Sequence, residues 1–164
     1  MNNLLVIVRG NSASGKTTLT NKIQKEIGYE KCLLLNQDII RRKILHADDN
    51  KNNPSVKMIE NLINYGLENY SVTVVEGILR RDVYGNMLTN LIEKNNANTL
   101  IYYLDIPFEK TLNYDQMKEV SFGSQRLKLW WREKDYLTND DIILNGLENT
   151  SFFNIILRDI NERI

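Results

Sequence analysis

The sequence predicts an α/β protein built on a parallel sheet with helices on both faces, and three observations predict it. Segments of strand character alternate with segments of helical periodicity along the whole chain. The strand segments are near-continuous apolar runs, such as Leu4-Leu5-Val6-Ile7-Val8, which suits strands buried on both sides better than a half-wet sheet. The first run leads into Gly10-Asn11-Ser12-Ala13-Ser14-Gly15-Lys16-Thr17, a glycine-bounded loop between a strand and a helix. The 164 residues suit a single domain, large enough to hide about 70% of the surface its unfolded chain exposes. No repeat, linker or low-complexity segment divides it.

The strand over residues 4–8 is followed by the pattern G-x-x-x-x-G-K-[ST], which has a physical meaning. Successive backbone N–H groups curl around a phosphate, Lys16 reaches the outer phosphates, and Thr17 offers a hydroxyl to Mg²⁺. Gly10 and Gly15 allow positive φ and a close approach without a Cβ. A helix continues through Thr18 to residue 27, with Leu19, Ile23 and Ile27 as its apolar stripe. Its first turn adds free N–H groups and a partial positive charge facing an anion. Gly10, Asn11, Ser12, Ala13, Ser14, Gly15, Lys16, Thr17 and Thr18 are therefore the expected nucleotide site, with ATP as the expected ligand.

Gly28 is placed to end that helix, and residues 31–36 read as a second strand. A helix is expected over 39–46, then a polar loop, 48–54, whose length suits a mobile or substrate-facing segment, then a helix capped by Ser55 with Val56, Ile59, Ile63, Leu67 and Tyr70 in register. A third strand spans 71–76 and a helix 82–94. A turn over 95–98 precedes a fourth strand, 99–104. Helices are expected over 108–117 and 124–135, a short fifth strand over 140–145, and a closing helix marked by Phe153, Ile156, Leu157, Ile160 and Ile164.

Composition narrows the function classes. Lys plus Arg and Asp plus Glu both number 21, so no overall basic field favours an extended nucleic-acid surface. The single cysteine, Cys32, lies in an apolar run and reads as a buried thiol. His46 is the only histidine, which leaves little for a histidine triad or a multi-histidine metal site. The expected metal is Mg²⁺ held by oxygens. The first apolar run is too short for a signal peptide, and no run approaches the ~20 residues that span a bilayer, so a cytoplasmic protein is expected.

In a parallel sheet the ligand lies beyond the carboxyl ends of the strands, so residues just past each strand are candidates. Asp38 stands where a carboxylate can accept or orient the proton of an acceptor hydroxyl, unless it only caps the next helix. Arg41 and Arg42 follow one turn later with the fork geometry that suits an anionic or polar substrate. Glu76 ends the third strand, where it can serve the Mg²⁺ shell with Thr17 or touch substrate. Asp105 reads as a cap for the helix starting near Phe108. Residues 125–136 are dense in cations and aromatics, with Lys128 and Arg132 on one helix face. Residues 118–136 are thus a candidate lid, with Arg126 and Arg132 as the arginines it would deliver.

Gly-Asn-Ser-Ala-Ser-Gly-Lys-Thr-Thr at 10–18, Asn-Gln-Asp-x-x-Arg at 36–41 and Leu-Asp-Ile-Pro-Phe-Glu at 104–109 together resemble the P-loop kinases related to polynucleotide kinase, zeta toxin and chloramphenicol phosphotransferase. This group includes small bacterial proteins described as uridine-kinase-like. The resemblance implies a three-layer P-loop NTPase fold, five parallel strands in the order 2-3-1-4-5 and a helical lid. By the same resemblance Asp38 matches the general base and Arg41 an arginine that contacts substrate in some members. Relatives place phosphate-binding arginines after Asp-x-Pro, but residues 111–116 have none, which moves that task to Lys118, Arg126, Lys128 or Arg132. The expected activity is transfer of the ATP γ-phosphoryl group to a hydroxyl of a nucleoside, sugar or antibiotic-like molecule. A polynucleotide 5′-hydroxyl kinase and an ATP-binding regulator without transfer are the alternatives.

Overall fold

A computed structural model describes residues 3–95, 98–146 and 149–164. Strands β1 (Leu4–Gly10), β2 (Cys32–Asn36), β3 (Val72–Gly77), β4 (Thr99–Leu104) and β5 (Ile142–Leu144) form one sheet in the order β2-β3-β1-β4-β5. Every pairing is parallel. The helices are α1 (Lys16–Ile27), α2 (Pro54–Asn69), α3 (Arg81–Asn95), α4 (Phe108–Gln116), α5 (Ser124–Trp130) and α6 (Asn149–Asn161). A π-helical segment, Ile39–Ile44, follows β2.

Successive side chains of a strand point to opposite faces, and β1 feeds two cores in this way. Leu4, Val6 and Val8 pack with Leu19 and Ile23 of α1 and with Phe152, Ile156 and Ile160 of α6. Leu5 and Ile7 pack on the other face with Ile59 and Ile63 of α2 and with Tyr84, Leu88 and Leu91 of α3. The whole of β1 is buried, which accounts for its unbroken apolar run. Each such Leu, Ile or Val contributes about 1.5–3 kcal/mol on leaving water. The register aligns Val8 with Glu76 and Glu76 with Asn36, so the carboxyl ends of three neighbouring strands share one rim.

Several elements differ from expectation. The helix expected over 39–46 is the π-helical segment Ile39–Ile44, closed by Leu45 N–H on Ile40 O at 3.0 Å and by His46 at φ 48. Asn53, not Ser55, caps α2: its side chain accepts the Ser55 N–H at 2.9 Å, because Pro54 takes the first helical position and moves the cap back. Ser55 is buried instead, with its hydroxyl 2.8 Å from that of Tyr84. Asp105 caps no helix: Pro107 precedes α4, and the Asp105 carboxylate accepts from the Tyr136 hydroxyl at 3.4 Å.

The helix expected over 124–135 stops at Trp130, and Trp131 is extended at φ −60 and ψ 131. Tertiary hydrogen bonds described below take over the backbone from there, so Lys128 and Arg132 do not share a helix face. Strand β5 is shorter than expected because the Asp141 carboxylate binds the N–H groups of Leu137 and Thr138 at 2.7 and 2.8 Å. Helix α6 ends at Asn161, leaving Ile164 exposed. The turn expected over 95–98 includes Asn96 and Ala97, which lie outside the described residues. Gly28 does terminate α1, at φ 103, and Cys32 is buried. Among the described residues no helix is long and apolar enough to cross a membrane.

Candidate active site

The glycine-bounded loop leaves β1 at the sheet's carboxyl edge and enters α1. Gly10 is at φ 152, and a Cβ there would meet the Leu104 carbonyl of β4 at 2.8 Å, so only glycine lets the loop leave beside β4. Ala13 turns left-handed at the crest (φ 58) and Gly15 at the entry to α1 (φ 90). Lys16 is buried, and its ammonium donates to Asn11 O at 2.7 Å and Ser14 Oγ at 3.2 Å. Burial pulls its pKa down to about 8, against the pull of Glu76 and Asp38. Residues 12–18 line a cleft of about 150 Å³, closed on the other side by Asn36, Asp38, Glu76 and Lys118.

Glu76 is 2% exposed, and it accepts from Thr17 Oγ1 at 2.8 Å and from Asn36 Nδ2. Burial pushes its carboxyl pKa up, while Lys16 and the Thr17 hydroxyl oppose the shift. A hydroxyl and a carboxylate meeting beside a phosphate loop form an all-oxygen donor pair that fits a hard divalent cation. Among the described residues no group of three His, Cys, Asp or Glu side chains would hold a metal without help. A cation here would draw its other ligands from phosphate oxygens and water.

Asp38 does not cap the segment that follows it. Asn36 Oδ1 accepts the Ile39 N–H at 2.9 Å in its place. The Asp38 carboxylate instead meets Arg41 Nη2 at 3.3 Å and Arg42 Nε at 3.4 Å, both through Oδ1. Among the described residues Oδ2 accepts no hydrogen bond. The same carboxylate borders the phosphate-loop cleft and a second cavity of about 340 Å³. That cavity is lined by Arg41, Arg42, Arg80, Arg132, Asp49 and Trp130, among others.

Segment 118–136 is tied down at both ends. At its start the buried Asp115 accepts the N–H groups of Phe122 and Gly123 at 3.0 and 2.9 Å. At its end Asn11 makes a reciprocal pair with the Arg132 backbone, donating to its carbonyl at 2.8 Å and accepting its N–H at 2.9 Å. Arg9, fully buried, meets Asp135 at 2.9 Å and Asp141 at 4.0 Å and donates to the Leu79 carbonyl. Burial lowers the Arg9 pKa, and the two aspartates oppose that. Between these anchors the Arg42 guanidinium lies over the rings of Trp130 (5.5 Å) and Phe122 (5.7 Å).

The structure therefore gathers the loop, Asp38, Glu76 and Lys118 at one cleft, and Arg41, Arg42 and Arg132 at the adjoining cavity. Arg126 is exposed and lines a separate depression formed by residues 121–126. Asp49 and Asn50 of the polar loop 48–54 line the second cavity; sequence reasoning missed Arg80 there and Arg9 and Asn11 as anchors. Arg80 stands four residues past Glu76 on the carboxyl rim, and Arg9 is a lone charge ending an apolar strand; both were findable signals.

The glycine-lysine loop at the carboxyl rim of a five-stranded parallel sheet in this order is the architecture of the P-loop kinases. The Zeta toxin family model matches residues 2–100, and the chain belongs to that family. No curated protein matches the chain. A gluconokinase from Sinorhizobium meliloti is similar in structure with a TM-score of 0.69 at 12% identity, over 97% of this chain and 92% of that one. A sugar kinase from Janibacter is similar with a TM-score of 0.68 at 18% identity, over 97% and 95% of the two chains. The APS kinase of Mycobacterium tuberculosis in complex with AMPPNP and APS gives 0.66 at 13% identity, over 98% of each chain.

Proposed function

We propose that the protein is an ATP- and Mg²⁺-dependent kinase that transfers the γ-phosphoryl group to a hydroxyl of a small molecule such as a nucleoside, a sugar or an antibiotic-like compound. The observation that supports this most is the place of Asp38, whose carboxylate belongs to both the phosphate-loop cleft and the adjoining cavity. Fold neighbours that are kinases, one of them solved with AMPPNP, support the nucleotide as one substrate.

The loop amides and Lys16 hold the nucleotide phosphates, and Lys16 leaves Asn11 O and Ser14 Oγ to do so. Thr17 and Glu76 are the residues that would hold Mg²⁺, which, when bound, offsets negative charge on the phosphates. The acceptor hydroxyl gives its proton to Asp38 Oδ2 as its oxygen bonds to the γ-phosphorus. The bond between that phosphorus and the β–γ bridging oxygen breaks, and ADP leaves. Lys118, on the wall of the cleft, is the cation placed beside Lys16 to face the transferred group, while Arg132, its backbone held by Asn11, lines the adjoining cavity. A role for Arg126 would require α5 to move. The test is Asp38→Asn, which keeps shape but cannot take the proton: transfer should fall by at least ~100-fold, with ATP affinity unchanged. Full activity in that variant would remove the base.

A further inference from the structure

Residues 12–18 line the phosphate-loop cleft, while Asn11, one position earlier in the same loop, spends its side chain on a distant segment. It is 6% exposed, and its amide donates to the Arg132 carbonyl at 2.8 Å and accepts the Arg132 N–H at 2.9 Å. An amide that both gives and takes a hydrogen bond with one backbone unit fixes the position and the orientation of that unit together. Both bonds go to the backbone of residue 132, so the pair does not depend on which side chain stands there.

The unit so held is part of the second cavity. Trp130 and Arg132 both line it, and Trp131 between them is where the chain leaves α5 for extended backbone. The other side of Asn11 faces the phosphate site, because its carbonyl accepts from the Lys16 ammonium at 2.7 Å. Lys16 gives up that carbonyl when phosphates fill the loop, so the peptide that carries Asn11 meets the arrival of nucleotide directly. One residue thus touches the phosphate-binding lysine with its backbone and the cavity wall with its side chain.

We propose that Asn11 is a positioning residue that couples the two substrate sites: a nucleotide that orders the phosphate loop tightens the hold of Asn11 on Arg132 and so sets the wall of the acceptor cavity. This rests on the reading of the loop as the nucleotide site. The contact that differs between the empty and the filled state is the Asn11–Arg132 pair, which is held more firmly once the loop amides are pinned on phosphate. The coupling runs both ways, so a segment held on Asn11 also favours the nucleotide.

Limited proteolysis with and without saturating Mg²⁺-ADP tests this, with ADP affinity measured separately by calorimetry. Arg126 and Lys128 are exposed on α5 but flank the buried Leu127, so trypsin cuts there at the rate at which the segment lets go. In the wild-type protein ADP should slow cleavage after Arg126 and Lys128, identified by mass spectrometry, by at least ~5-fold. In Asn11→Ala the protection should fall below about 2-fold, while ADP affinity drops by no more than the protection lost. Asn11→Asp, which still accepts the Arg132 N–H but cannot donate, should lie between the two. Arg132→Ala keeps the backbone pair and should keep the protection, which separates the pair from the arginine side chain. Protection of Asn11→Ala equal to that of the wild type, its loss in Arg132→Ala, or ADP that binds the wild type without slowing cleavage would each overturn this inference and leave the nucleotide reading intact. No ADP bound to the wild type up to about 10 mM would overturn the nucleotide reading and this inference with it.

Discussion

Asn36 binds the Ile39 N–H and Glu76 with its two amide ends, and that frees the carboxylate two residues later from capping duty. Such a division of labour decides what a side chain can do, and Arg9 is a second case. It lies at the end of β1 with no exposure, and its charge is answered by Asp135 and Asp141. Removing one partner of a buried ion pair strands the others, so Arg9→Met should lower stability by about 3–5 kcal/mol, read from urea unfolding. The loss should be less than additive with Asp135→Asn. A change below ~1 kcal/mol would mean that the pair contributes little beyond a surface bridge. Cys32 offers a pH-linked test, because burial pushes its thiol up to about 12. At pH 8 a thiol reagent should label the folded protein roughly 1,000-fold more slowly than the urea-unfolded chain. Comparable rates would show that the residue is reached without unfolding. At this scale the place of the loop and of Asp38 at one cleft was legible because it follows from local features: a spacing, or a position just past a strand. Arg80 was not, because what joins it to Asp49, in the loop expected to be mobile or substrate-facing, is a cavity that only the folded chain creates.

Elements end where a tertiary contact outbids the local one. Apolar and cationic periodicity runs on past Trp130, yet α5 stops there because Asn11 binds both backbone groups of Arg132 and because Trp131 packs edge-on against Phe108 at 5.2 Å. No local rule names a residue over a hundred positions away. The π-helical segment was hidden for a similar reason: Arg41 is drawn to Asp38 on one side and to the Ala47 carbonyl, at 2.9 Å, on the other. Helix α2 shows the reverse, a close approach encoded by one residue. A Cβ on Gly66 would run into the Thr73 side chain of β3 and touch Leu33 Cδ2 of β2 at 3.0 Å. Gly66→Ala gains up to ~1 kcal/mol in helix propensity, but over-packing costs about 1–3 kcal/mol, so the net effect should be destabilising. A raised urea midpoint would show that α2 can lift off the sheet without loss.

At the scale of the molecule the strand order does the positioning. With β3 between β2 and β1, Asn36, Glu76 and the phosphate loop stand side by side on one rim. The fold class was legible because alternating strands and helices with apolar strands leave few alternatives. The order β2-β3-β1-β4-β5 came only with the family resemblance, since strand neighbours are set by contacts between distant segments. The acceptor was not legible, because the cavity beside Asp38 is lined by residues that only the folded chain brings together from separate stretches. The most direct measurement is transfer from γ-phosphate-labelled ATP to a panel of hydroxy acids, sugar phosphates, sugars, nucleosides, aminoglycosides and 5′-hydroxyl oligonucleotides, with Lys16→Ala as control. The account predicts Mg²⁺-dependent labelling of one class of small hydroxylated acceptor and its loss in the control. Tight binding of ATP with no labelled acceptor in any class would contradict it and leave a nucleotide-binding protein that does not transfer phosphate.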